Sequence, residues 1–392
     1  MHASDAFAAL DLVTADLPGA ALHEHFRAAR QASGLARTRL HGLPAFVLTR
    51  FADVKTFLAD DQTFPGGTTY VHQVEPVVGR TFISMDGDDH RRYRLLATPA
   101  FRSSAVARFV EQALVPLAHE LLDRFAAHGA ADLVAQFTDV LPYVAISRKL
   151  GLPVESERRQ RTLARGLLTY PVDPAGAAAA SAELTAVITT TLAARRRRAA
   201  DDVLSRLIDA DVEGQRLGDD EIASHARLLF AVGATTTADA MSSLFWTLLT
   251  QPGLAERARQ EPALRPGIVH ELLRWEPPVA ALPRFTVAGG TIGGQEIPPG
   301  SLVLAALAAA NRDPEVFEDP DRFQPERDER EILTFGFGSK YCPGVNLARR
   351  QLAAALDVVL ERLPGLAIAG VAAPTGAVLR SVKTLPVTWR PR

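Results

Sequence analysis

The only cysteine of this 392-residue chain, Cys342, lies in the run Phe335-Gly336-Phe337-Gly338-Ser339-Lys340-Tyr341-Cys342-Pro343-Gly344. Val345-Asn346-Leu347-Ala348-Arg349-Arg350 follows and opens an apolar-periodic helix. A lone cysteine makes no internal disulfide and lacks the partners of a zinc site. Three roles remain: an inert buried thiol, a nucleophile, or a single thiolate on a metal. The neighbours favour the third. Glycines at 336, 338 and 344 strip side chains from the backbone, so a flat group can approach closely. The helix start offers unpaired N–H groups and positive partial charge, which stabilise a sulfur anion. Pro343 has no N–H, so the donors must come from residues beyond it. A nucleophilic cysteine wants a partner histidine, and the sequence assigns none to it.

A second unusual stretch, Val232-Gly233-Ala234-Thr235-Thr236-Thr237, sits in the middle of the longest helical pattern. That pattern starts at Asp219, a candidate N-cap ahead of Asp220-Glu221, and continues for about thirty residues, roughly 45 Å. A glycine followed by three β-branched residues costs on the order of 0.5–1 kcal/mol per position relative to alanine. Two outcomes compete at such a spot. The hydrogen-bond ladder opens locally, or the threonine hydroxyls bond back to carbonyls four residues earlier.

The elements that must position these residues are mostly helical. Apolar residues recur at helical spacing through Val106–Ala127, Glu183–Ala194, Ile222–Leu249, Ile268–Leu273 and Leu347–Leu363. Strand signals are short: Ala45–Leu48, Leu302–Leu304 and Leu385–Thr388, with Gly289-Gly290 and Gly293-Gly294 marking tight turns around Thr291-Ile292. Pro171–Ala182 reads as a flexible connection or a weak helix end, and Arg195–Arg198 as a solvated helix end. Mixed helix with minor β, without segregated modules, predicts one large domain over residues 1–392.

Bulk properties narrow the function. Hydrophobic residues make up 47% of the chain, which suffices for a large core and excludes a disordered protein. The net charge of −2 gives no reason to expect nucleic acid or an anionic membrane as partner. Met1–Asp5 shows neither a signal-peptide opening nor a membrane anchor. Leu228–Leu249 is long enough to span a bilayer, but it contains Asp239, threonines and serines and follows Arg227, so a buried soluble helix is expected. A cytoplasmic protein is expected, consistent with the lack of paired cysteines.

The cysteine window resembles the haem-ligand loop of the cytochrome P450 family, Phe-Gly-x-Gly-x-(His/Arg)-x-Cys-x-Gly followed by Leu-Ala-Arg. That family holds haem iron by a cysteine thiolate. The resemblance implies a mainly α fold with a small β region and a long central helix over a buried haem, haem b being iron protoporphyrin IX. It makes Cys342 the metal ligand, with Phe335 and Gly344 against the cofactor. Gly233 and Thr236 match the glycine and first threonine of the family's central-helix motif Ala-Gly-x-(Asp/Glu)-Thr-Thr. Thr235 stands where a carboxylate is usual, the clearest departure. His90, Arg94, Arg284 and Lys340 match positions that contact haem, and buried propionates require such cations. Lys340 replaces the usual histidine or arginine and acts as a point charge. Glu271 and Arg274 resemble the family's Glu-x-x-Arg pair, with Arg327 as third member. Ala310-Asn311-Arg312-Asp313-Pro314 resembles a run of soluble bacterial members.

The implied activity is a haem-thiolate monooxygenase, an oxidoreductase inserting one oxygen atom from dioxygen into a medium-sized apolar or amphipathic molecule, such as a secondary metabolite. Electrons would come from a ferredoxin-type donor, with Arg91, Arg92, Arg349 and Arg350 as a basic docking patch. By resemblance the substrate pocket is lined by Gly66–Thr81, Leu167–Ala182, Ala231–Thr235, Val279–Leu282 and Val378–Val382. The neutral Thr235 keeps open a peroxide-using thiolate-haem enzyme. A non-catalytic haem-binding protein is the further alternative, against which Cys342 and Thr236 stand.

Overall fold

The computed structural model describes residues 7–154, 156–328 and 331–391; Met1–Asp5, read above for a leader or anchor, lie outside them. The central helix runs unbroken from Asp219 to Thr250 and is buried on almost every side. Such all-round apolarity needs neighbours on all faces. They are the helices Leu141–Leu150, Glu157–Leu167, Pro174–Arg197 and Val345–Arg362. Its cap is Gly218 rather than Asp219, because the Glu221 carboxylate turns back to accept the Gly218 N–H at 2.8 Å. The ladder does not open at the Gly-Thr stretch. Thr235, Thr236 and Thr237 donate their hydroxyls to the carbonyls of Ala231, Val232 and Gly233 at 2.8, 2.9 and 3.2 Å. Each hydroxyl finds a partner within the helix, so the weak propensity is absorbed locally.

The main sheet has four strands in the spatial order Leu35–Leu40, Leu43–Leu48, Leu302–Ala305, Leu282–Phe285. Its middle pair is parallel and the outer pairs antiparallel. Leu302–Ala305, a continuous apolar run, is buried at every position. The strands Gly290–Ile292 and Gln295–Ile297 form the expected small hairpin, turning at Gly293-Gly294. Pro386–Thr388 pairs with Ala130–Asp132 and Ala367–Ile368.

Two expected elements differ. The Val106–Ala127 pattern is not one helix: Ser103–Phe109 and Val115–Asp123 are separated by a π turn over Val110–Leu114. Pro116 lacks the N–H that a continuous ladder needs there. Pro171–Ala182 is no flexible connection beyond its first three residues. A 24-residue helix begins at Pro174, with the Asp173 side chain accepting the Gly176 N–H at 2.9 Å. Proline in the first turn and alanine thereafter favour a helix, and Ala177, Ala180, Leu184, Ile188 and Leu192 give it one buried face. At its end Arg195 and Arg196 pair with Asp202 and Asp219. This helix and the central one are each long and apolar enough to cross a membrane, but the central one is packed inside protein.

Candidate active site

The cysteine loop is a tight hairpin pinned by its backbone. Cys342 N–H donates to Phe335 O at 2.9 Å, and Gly336 N–H to Leu333 O at 2.8 Å. Gly338 has φ +73°, and a Cβ there would sit 3.0 Å from Leu58 O in the helix Phe51–Ala59. Conformation and contact both require glycine at that position. Burial pushes the Cys342 thiol up, opposed by the Gly344 and Val345 amides and by Arg94. The donors therefore come from beyond Pro343, as the sequence demands. Among the described residues no three His, Cys, Asp or Glu side chains gather around a point. A lone thiolate thus suits a metal that carries its other ligands with it.

A cavity of about 590 Å³ opens above the loop. Phe335, Gly344, Leu347, Ala348 and Leu352 line it beside Cys342, and Gly233 and Thr236 line it from the central helix. Gly233 also packs on Ile146, where a Cβ would come within 3.0 Å. Thr235 does not line the cavity; it is buried and bonded to its own helix. Its expected place in the pocket wall is therefore corrected. The reason is rotation: successive helical residues point about 100° apart. Asp239, four residues on, shares the face of Thr235. It is buried and ion-paired to Arg165 at 3.2 Å, and Arg165 reaches Asp139 at 2.9 Å. Burial pushes the Asp239 carboxyl up against the pull of Arg165.

Of the four expected contacts, Arg94, Arg284 and Lys340 line this cavity, and His90 lies near Lys340 and Arg94 behind them. Arg284 is 1% exposed; its guanidinium donates to the carbonyls of Phe57 and Phe64 at 3.2 and 2.8 Å, yet its Nε has no partner. Lys340 pairs with Asp86 at 3.2 Å and also donates to Met85 O. Arg94 donates to Tyr341 O. His90 is buried with Nε2 unpartnered, and burial together with Lys340 and Arg94 lowers its pKa to about 4. Burial lowers Lys340, Arg94 and Arg284 as well. Cations partly or fully withdrawn from water, with Arg284 Nε unanswered, fit an anion, and haem's propionates are anions. The residues present fit haem.

Glu271 and Arg274 form a buried bidentate pair at 2.8 and 2.7 Å, and Arg327 joins Glu271 at 3.3 Å. Arg274 also donates to Asn311 O and Pro320 O at 2.8 and 2.9 Å. Asn311 carries the network to the cysteine loop: its side chain accepts Leu333 N–H and donates to Thr334 Oγ1, each at 2.8 Å. Asp313 accepts the Phe51 N–H at 2.8 Å. Asn311 thus holds the segment just before Phe335, and Asp313 holds the start of the helix Phe51–Ala59.

The cavity wall includes Tyr70, Gln73, Leu168, Val172, Val279, Leu282, Val378 and Leu379, from the expected segments. The sequence missed Leu12, Val13, Leu40 and His41, which line the same cavity. No motif marks them, since they reach it only through strand pairing. The expected basic patch is largely compensated. Arg91 and Arg92 pair with Asp88 and Asp89, and Arg349 lies over the Phe335 ring at 5.6 Å. Arg350 remains exposed.

A buried cavity with one cysteine on its floor, a long helix above and cations at its edge defines a haem-protein architecture. Comparison with known proteins agrees. The sequence model of cytochrome P450 matches residues 178–364. The cyclomarin C epoxidase CymV of Salinispora arenicola is 33% identical, over 90% of this chain and 91% of its own length. The mycinamicin IV hydroxylase/epoxidase of Micromonospora griseorubida is 33% identical, over 95% and 97%. The cytochrome P450 PksS of Bacillus subtilis superposes with a TM-score of 0.86 at 27% identity, covering 93% of this chain and 96% of that one. The chain belongs to the cytochrome P450 family: it is a monooxygenase of the bacterial type with haem as cofactor and the mainly α fold of that family.

Proposed function

We propose that Cys342 is the thiolate ligand of haem b, with Thr236 on the opposite side, and that the chain works as one domain. The observation that carries this is that Cys342, sheltered by the Gly344 and Val345 amides, shares a single cavity with Thr236. His90, Arg94, Arg284 and Lys340 would hold the propionates. Thiolate-bound haem supplies dioxygen activation and oxygen insertion. The wall beyond Thr236 is mainly apolar, so it disfavours water and admits a medium-sized, uncharged molecule, such as a secondary metabolite. The named oxidations of cyclomarin C and mycinamicin IV by relatives support that class. Electrons would come from a ferredoxin-type donor approaching Arg349 and Arg350, in the cytoplasm. The reduced, carbon-monoxide-bound holoprotein is expected to show the long-wavelength Soret band of thiolate ligation, and Cys342→Ser to lose it. A variant that keeps both the band and turnover removes the assignment.

With no acid at 235, and with Asp239 on the same outward helix face paired to Arg165, proton supply would fall to ordered water or a substrate hydroxyl beside Thr236. Thr236→Ala should divert reducing equivalents from product to peroxide, and unchanged coupling would remove that role. The neutral, inward-bonded Thr235 also favours a second reading, a peroxide-driven enzyme. Turnover with hydrogen peroxide but none with ferredoxin and its reductase would select that reading.

A further inference from the structure

The cavity does not end at the segments that the sequence marks. Leu12, Val13, Leu40 and His41 line it together with Cys342. Leu12 is buried, whereas Val13 is 38% exposed, as is Leu379 at 43%, and both belong to the same wall. An exposed apolar rim continuous with an apolar cavity marks where a ligand extends out of it.

The rim is built to hold its shape. The segment around Asp11 lies along the strand Leu35–Leu40: Leu12 N–H donates to Arg39 O and Arg39 N–H to Leu10 O, both at 2.9 Å. The strand turns at His41-Gly42, with φ +52° and +76°. Two left-handed residues make the tight hairpin turn that suits the strand twist, but histidine is strained in that conformation. Asp11 stabilises the turn from across the chain. Its carboxylate accepts the Val13 N–H at 3.0 Å and the His41 N–H at 3.2 Å, and also the Gly42 N–H. Burial acts to raise the Asp11 carboxyl, but these amide donors outweigh it and hold it below the usual range. One side chain thereby fixes both Val13 and His41 at the mouth.

We propose that Leu12, Val13 and His41 form a distal recognition site for the far, apolar end of an elongated substrate, with Asp11 as its positioning residue. This rests on the haem–thiolate reading above and adds a length requirement to the substrate: one end lies at Thr236 and the other reaches the N-terminal segment. A compact molecule would leave the rim unfilled, and a charged end would meet Val13 and Leu379.

Azoles of two lengths test it in the holoenzyme. The imidazole of 1-butylimidazole and of 1-dodecylimidazole ligates the iron and shifts the Soret band, while only the dodecyl tail reaches the rim. Val13→Glu is expected to weaken dodecylimidazole about tenfold or more and butylimidazole less than twofold. Asp11→Ala should act in the same direction, roughly threefold. His41→Gly retains the left-handed turn and removes the imidazole from the rim, so it should weaken only the long probe. Equal effects on both probes, or none on either, overturn the distal site. If butylimidazole fails to shift the wild-type Soret band, the haem reading itself falls, and this inference with it.

Discussion

Two buried clusters of cations in this protein are built in opposite ways. Around Glu271, Arg274 is completely buried and is met by a carboxylate and by backbone carbonyls. Around Lys340, Arg284 reaches Asp61 only at 3.5 Å and Lys340 reaches Asp86 at 3.2 Å, His90 Nε2 and Arg284 Nε have no partner, and burial lowers the affinity of each group for its proton. A satisfied network rigidifies a core, whereas a half-satisfied one is unfavourable until something completes it. The first cluster holds the segment before the cysteine loop in place. The second would be completed by a dianion such as the propionates of haem.

That contrast predicts different consequences for similar mutations. Arg274→Ala strands Glu271 without its bidentate partner, and removing one member of a buried pair costs about 3–5 kcal/mol. Urea denaturation should show that loss in the cofactor-free protein, with little haem incorporated. Arg284→Ala relieves repulsion among the cations at the cavity edge. Cofactor-free stability should change by less than in Arg274→Ala, while haem affinity falls by about 2 kcal/mol or more, read from haem transfer to apomyoglobin. Equal stability losses in the two variants would erase the distinction.

The smallest effect is a pH dependence. His90 and His23 both have native pKa values lowered to about 4, His90 by burial, Lys340 and Arg94, and His23 by burial and Arg312 despite its bond to Glu276. From the ordinary histidine value of about 6.5 down to about 4, the unfolded chain therefore binds protons that the native chain refuses. Stability of the cofactor-free protein should fall as pH drops through that window, by up to about 1.4 kcal/mol per unit for each histidine. Haem should remove the His90 share, because propionates favour its charged form, and leave the His23 share. His90→Asn should remove only the His90 share of the cofactor-free slope and leave the haem-loaded curve unchanged. A haem-insensitive slope would place His90 outside the propionate site.

Much of the site was legible because its parts are local. The glycines around Cys342, the amides beyond Pro343, and the Glu271–Arg274 spacing each depend on backbone conformation within a few residues. Arg327 was legible only through resemblance, since nothing local ties it to Glu271. The start of the Pro174–Arg197 helix is poorly legible because a proline followed by alanines suits a flexible connection or a weak helix end as well as a first turn. The interruption at Val110–Leu114 was hidden because apolar spacing tolerates an extra residue in a turn.

By itself the sequence determined that one thiol stands at a helix start behind glycine-rich backbone, and that a long, largely apolar helix carries Thr236 near its middle. Tertiary structure alone decided that Thr235 turns out of the cavity while Asp239 meets Arg165, that Asn311 bridges to Thr334, and that Asp11 secures a rim made of Val13 and His41. The reason is range. Capping, turn conformation and helical spacing are set by neighbours along the chain, but a burial partner or a cavity wall is set by whatever the fold packs there, and no short pattern records it.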